Sequence, residues 1–169
     1  MANLKDSPKF QIYDNYYTPA WVWQKITPLI PKDATVWEAC MLNATESKSM
    51  EIWQDFGYTV VGNTTWDMLT CDIPDCNIIL TNIPFETSIK KRILARLMEI
   101  DKPFIVIMNG MNIHSNYFHE IMDLEHTQII IPKSKLHFQK DGKKEEKNTS
   151  FYSVFVAYKM NLTAKQMFV

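Results

Sequence analysis

The chain has 169 residues, 46% hydrophobic and 22% charged, which fits one globular domain with a real core rather than a disordered or fibrous chain. Its formal net charge of −1 excludes binding nucleic acid through overall charge, so any such contact must be local. No apolar run approaches the roughly 20 residues that span a bilayer, and Met1–Phe10 is too polar for a secretory signal, so no membrane partner is expected.

In chain order, residues 1–17 read as a polar, aromatic N-terminal arm. Thr18 is the expected N-cap, with Pro19 first in a short helix through Trp21–Ile26 that Pro28 and Pro31 end. Thr35–Glu38 is the first expected strand. A helix from about Glu46 to Phe56 would carry Met50, Trp53 and Phe56 on one face, and Gly57 closes it. Tyr58–Gly62 is the second strand, and a turn or short helix is expected around Asp67-Met68-Leu69. After the strand Asn77–Thr81, Ser88–Ile100 is the clearest helix. Its stripe is Ile89, Ile93, Leu97 and Ile100, with Lys90, Lys91, Arg92 and Arg96 on the wet side. Pro103–Met108 is a buried strand, Asn116–Asp123 a helix and Thr127–Ile131 another strand. Lys135–Phe138 and Phe151–Tyr158 then read as a hairpin with a long Lys/Glu-rich loop over 139–150. Strand and helix alternate through Met108 and a hairpin follows, so the expected fold is a single α/β domain over 1–169, its sheet mostly parallel with an antiparallel C-terminal end.

Cys40, Cys71 and Cys76 are odd in number and form no CxxC pair, so they read as reduced thiols of an intracellular protein, cytoplasmic or nuclear. The glycosylation sequons at Asn43, Asn63, Asn148 and Asn161 then carry no meaning. His114, His119, His126 and His137 lack metal-ligand spacing, so no metal is expected, and the five tryptophans fall mostly at core positions. Six lysines between Lys133 and Lys147, offset by Asp141, Glu145 and Glu146, leave a modest local excess of positive charge.

The chemistry concentrates at Ile78-Ile79-Leu80-Thr81-Asn82-Ile83-Pro84-Phe85. An apolar strand ends at Asn82, and α/β sheets place ligands just beyond the carboxyl ends of their strands. Ile83 precedes a proline and is biased to extended backbone, which lets the Asn82 amide and the Ile83 carbonyl converge on one point. Phe85 adds a flat aromatic face. Two acceptors beside an aromatic suit a planar ligand that bears an amino group.

Thr81-Asn82-Ile83-Pro84-Phe85 resembles the Asn-Pro-Pro-Phe/Tyr signature of DNA methyltransferases that modify the exocyclic amine of adenine, with Ile83 in place of the first proline. Asp14-Asn15-Tyr16-Tyr17-Thr18-Pro19 is similar to the Tyr-Thr-Pro start of the phage-type members, and Trp37-Glu38-Ala39-Cys40 to the opening of their first-strand cofactor motif. Asp67-Met68-Leu69 stands where that family touches the cofactor adenine, and Phe138–Val156 resembles its final hairpin. The colinearity runs over roughly residues 14–158. It implies a Rossmann-like class I methyltransferase fold, S-adenosylmethionine as cofactor, DNA as partner and a viral or mobile-element origin. Asn82 and the Ile83 carbonyl would polarise the amine beside Pro84, and Phe85 would stack on a base flipped out of its duplex. Tyr17, Thr18, Pro19, Glu38, Asn63 and Asp67 would hold the cofactor.

Two departures qualify that expectation. The family's first-strand loop is rich in glycine, whereas Glu38-Ala39-Cys40-Met41-Leu42-Asn43-Ala44-Thr45-Glu46 has none. The ribose-binding carboxylate after the second strand is also missing from Gly62-Asn63-Thr64-Thr65, so only Asn63 or Thr64 can bond a ribose. The expectation is therefore impaired or lost S-adenosylmethionine binding in a binding or structural subunit that contacts DNA, a protein partner or a second copy of itself. The alternative is an active adenine methyltransferase.

Overall fold

The runs Ile78–Leu80, Phe104–Met108 and Val154–Tyr158 are apolar at consecutive positions because both faces of the strands they form are covered. The computed structural model describes residues 16–41, 48–140 and 151–169. The arm before Tyr16, the rest of the glycine-free loop at 42–47 and the Lys/Glu-rich stretch 141–150 lie outside the described residues.

The strands are β1 (Tyr16–Tyr17), β2 (Thr35–Trp37), β3 (Thr59–Val61), β4 (Ile78–Asn82), β5 (Phe104–Asn109), β6 (Thr127–Ile131), β7 (Gln139–Lys140), β8 (Ser153–Tyr158) and β9 (Gln166–Phe168). The helices are α1 (Ala20–Gln24), α2 (Lys48–Asp55), α3 (Thr87–Ile100) and α4 (Asn116–Ile121). Seven strands form one sheet in the order β3-β2-β4-β5-β8-β6-β9. The first four run parallel, β8 is antiparallel to β5 and β6 on either side, and β9 is parallel to β6. The protein is thus α/β, with a mostly parallel sheet and antiparallel strands in its C-terminal part.

Alternation along each strand divides the core in two. Ile79, Phe104, Val106, Met108 and Val156 face α3 and α4, meeting Ile93, Leu94, Leu97, Phe118 and Met122. Ile78, Leu80, Ile105, Ile107 and Phe155 face the opposite side, meeting Val22, Trp23 and Ile26 of the α1 segment and Trp53 of α2. Trp23 and Trp53 stack there with ring centroids 5.1 Å apart.

Three expectations fail, each for a packing reason. The hairpin does not form: Gln139–Lys140 pairs with Tyr16–Tyr17 in a small second sheet, while β8 inserts between β5 and β6. All six residues of β8 are buried, and a strand so apolar is better satisfied with neighbours at both edges than at the rim of a hairpin. Thr18 is not the N-cap; α1 starts at Ala20 after Pro19, and no side chain caps it. Lys90 is not on the wet face of α3: it is 3% exposed and shares a buried stripe with Ile93, Leu94 and Leu97.

Candidate functional site

The order of the parallel strands contains a reversal. From β2 the chain moves outward to β3, then returns to β4 on the other side of β2, so the switch point lies between the carboxyl ends of β2 and β4. That crevice is the expected ligand position in such a sheet. Glu38 through Met41 continue one side of it, Thr81 and Asn82 the other.

Thr81 and Asn82 alternate to opposite faces, and each has a distinct task. Asn82 is the last residue of β4, opposite Ile107 of β5. Its Nδ2 donates to Thr18 Oγ1 at 3.1 Å, which explains why a threonine that caps no helix is buried to 3% exposure. Asn82 Oδ1 is buried and accepts no hydrogen bond from any described residue. An amide oxygen left so costs about 1–3 kcal/mol, which a ligand N–H would recover. Pro84 and Phe85 turn the chain over this edge, while the Ile83 side chain, 2% exposed, goes down into the core beside α3. Phe85 is half-buried against Phe151, with centroids 4.8 Å apart, and Phe151 in turn meets Phe138 at 6.2 Å.

Behind the turn, the Lys90 ammonium donates to the Phe85 carbonyl at 3.2 Å and to Asn112 Oδ1 at 3.4 Å. Tyr117 donates to the same Asn112 oxygen at 2.7 Å. Lys90 therefore fixes the Asn-Ile-Pro-Phe turn to the segment after β5. Its signal was present in the sequence, since Lys90 stands three, four and seven residues before Ile93, Leu94 and Leu97.

On the other face the crevice is crossed by a polar knot. The Thr81 hydroxyl makes a very short hydrogen bond to Glu38 Oε1 and accepts from the Cys40 N–H at 3.1 Å. Glu38 is 3% exposed, and its Oε2 has no partner among the described residues. Burial pushes its carboxyl from the ordinary 4.5 to about 7, against the bonds from Thr81, Cys40 and Ser49 that favour the anion. Burial likewise pushes the Cys40 thiol up to about 12, which leaves it un-ionised, and its Sγ lies 3.6 Å from Met68 Sδ. Met41 is 5% exposed and covers Gly62: a Cβ added there would lie 3.1 Å from Met41 Cε and 2.5 Å from the Glu38 carbonyl oxygen. Gly62, at φ +134°, is thus required by a backbone approach rather than by a ligand.

The remaining expected cofactor residues serve local structure. Asn63 Oδ1 accepts from Thr65 N at 2.8 Å, Thr65 Oγ1 at 2.6 Å and Trp66 N at 3.0 Å, closing its own turn. Asp67 Oδ1 accepts from Leu69 N at 3.0 Å in the next turn. Tyr17 lies in β1 with the Lys48 ammonium 4.7 Å from its ring centre, and Pro19 is buried at the start of α1. The structure thus brings together Thr18, Asn82 and Phe85 at one corner and Glu38 and Thr81 at another, while Asn63 and Asp67 are spent on turns. Among the described residues no cluster of three or more His, Cys, Asp or Glu is arranged to hold a metal, and no helix is long and apolar enough to cross a membrane. Cys40, Cys71 and Cys76 are all free. Compared with known proteins, the chain matches no protein-family model and no curated protein.

Proposed function

We propose that this chain is a methyltransferase-like protein, of the type that acts on the adenine amine, that holds an amino-bearing base at Asn82 without transferring a methyl group to it. The observation that carries the ligand class is the buried Asn82 Oδ1: it is aimed from a strand end, fixed by Thr18 and left without a donor among the described residues. Phe85, three residues further along the same turn and packed on Phe151, is the aromatic side chain assigned to the same planar ligand. The strand order, with β8 inserted antiparallel between β5 and β6, supports the Rossmann-like class I methyltransferase reading of the fold.

The residues that would take S-adenosylmethionine fit it poorly. The crevice between β2 and β4 is bridged by the Cys40–Thr81–Glu38 hydrogen bonds, and Met41 fills the space over Gly62 that a glycine-rich loop leaves to the cofactor. Asn63, the residue nearest to a ribose ligand in the sequence, already accepts three hydrogen bonds. This argues for a binding or structural subunit whose partner is a nucleic acid. The alternative, an active adenine methyltransferase, draws on the same Asn82 corner and requires the crevice to open.

Calorimetric titration with S-adenosylmethionine, run beside a methyl-incorporation assay on DNA, tests the reading. A cofactor present at ~100 times its dissociation constant would add about 2.7 kcal/mol to stability. The expected result is no melting shift at millimolar cofactor and no methyl incorporation. A clear upward shift with micromolar cofactor, or methylated adenine in the product, overturns this proposal in favour of the enzyme.

A further inference from the structure

The far half of the sheet, away from the Asn82 corner, is covered unevenly. On β6, Gln128 and Ile130 point to one face and are buried, whereas Ile129 and Ile131 point to the face of α3 and α4 and are only half-buried. A strand face left to water ordinarily alternates to polar residues, yet β6 places isoleucine there. Phe168 of β9 is registered with Ile131, continues the same face and is 61% exposed.

A cavity of about 330 Å³ opens beside this apolar strip. Ile113, Phe118, Leu124 and Ile129 form its apolar wall, and His114 and His119 bring two imidazoles to it. His119 Nε2 donates to the Ile113 carbonyl at 2.8 Å, which fixes that ring in place. The lining hydroxyl, Thr127 Oγ1, is already spent as a donor to the Asp123 carbonyl at 2.6 Å. No carboxylate lines the cavity. Asp123, next to Leu124, has Oδ2 engaged by His126 Nδ1 at 2.7 Å and Oδ1 by the Glu125 N–H at 3.0 Å. Glu120 and Glu125 are exposed outside the lining. The Lys165 ammonium donates to the Leu124 carbonyl at 3.5 Å, which uses one of its three N–H donors. An apolar wall with a few polar groups at one end and no acidic group suits an amphipathic molecule with an anionic head. The volume falls at the low end of the ~300–1,000 Å³ typical of small-molecule sites.

We infer that this cavity binds a small carboxylate of the fatty-acid type. Its alkyl body lies on Phe118 and Ile129, toward Ile131 and Phe168, and its head meets the rim of His114, His119 and Lys165. The site stands apart from the Asn82 corner and draws nothing from the nucleic-acid reading.

NMR titration tests it with three probes of equal chain length: octanoate, octan-1-ol and octylammonium. The isoleucine methyl groups and the histidine rings report where each probe binds. The proteins are the wild type, Leu124→Glu, Lys165→Met and Ile73→Glu. Leu124 is 46% exposed, so its replacement leaves the core intact. Ile73, 43% exposed in the segment before β4 and three strands from β6, is the surface control. Octanoate is expected to shift the Ile113 and Ile129 methyls and the His119 ring saturably, with octylammonium about tenfold weaker. Leu124→Glu, which puts a carboxylate at the rim, should weaken octanoate about tenfold, and Ile73→Glu should change nothing. Lys165→Met should weaken octanoate about two- to fivefold and leave octan-1-ol unchanged. Absence of saturable shifts with octanoate, equal affinity for octanoate and octylammonium, or octanoate binding undiminished by Leu124→Glu overturns the inference.

Discussion

Replacing Glu38 by glutamine removes a buried titrating group while keeping its shape and its Oε1 acceptor for the Thr81 hydroxyl and the Cys40 N–H. Burial raises the folded-state carboxyl from the ordinary 4.5 to about 7, so between those pH values the folded protein holds a proton that the unfolded chain has released. The stability from this extra proton is fully present below pH 4.5 and lost as pH rises through about 7. At ~1.4 kcal/mol per pH unit, a window from 4.5 to about 7 corresponds to about 3 kcal/mol. Glutamine stays neutral throughout, so Glu38→Gln should match the wild type near the acid end and exceed its stability by about 3 kcal/mol above neutrality. Asp101, held low by its hydrogen bond from Lys159, and Asp123, held low by His126, contribute stability that is lost in the opposite direction, as pH falls. Both are unchanged in the variant and cancel in the difference. Urea unfolding of the two proteins between about pH 4.5 and about pH 8 measures it directly. A gap that stays constant across that range would show that Glu38 is ionised at all these pH values, and that solvent reaches the crevice.

Other substitutions probe the corner and its supports. Gly62→Ala places a Cβ 2.5 Å from the Glu38 carbonyl oxygen at a φ of +134°, and should cost on the order of 3 kcal/mol in chemical denaturation. Lys90→Met leaves the Phe85 carbonyl without its ammonium donor and should lose about 1–3 kcal/mol, with faster hydrogen exchange in the turn as the second readout. Trp53→Ala empties a fully buried site between α2 and the sheet and should cost about 3–5 kcal/mol by thermal or urea unfolding. Asn82→Ala removes the proposed amine acceptor and should weaken binding of an oligoadenylate about tenfold while leaving the melting temperature near that of the wild type. Oligoadenylate affinity unaffected by Asn82→Ala would place the base elsewhere.

Much of the fold was legible because short-range rules and packing agree in it. Strand β6 begins and ends at the residues expected, Thr127 and Ile131, and α3 runs from Thr87 against an expected Ser88. In both, apolar periodicity, turn residues and burial point the same way. Asn82 was placed at a strand's carboxyl end by its apolar run and the following Pro84, and the structure puts it there, at the end of a strand flanked on both sides.

What the sequence by itself determined was this order of elements and the position of Asn82-Ile83-Pro84-Phe85 at a strand's carboxyl end, since both depend on residues adjacent in the chain. Only the tertiary structure decided who meets whom across it. Thr18 carries a good N-cap signal, yet its hydroxyl receives Asn82 Nδ2 from 64 positions away, because long-range packing sets α1 one residue beyond the expected start. Phe151–Tyr158 has the apolar character and length of a hairpin arm, but pairing partners are chosen by how many edges and faces a strand can bury, and β8 buries both edges between β5 and β6. Likewise Glu38 is one carboxylate among many in the chain. Its raised pKa arises from burial that outweighs the hydrogen bonds from Thr81 and Cys40, a surrounding assembled by folding and absent from any local stretch of sequence.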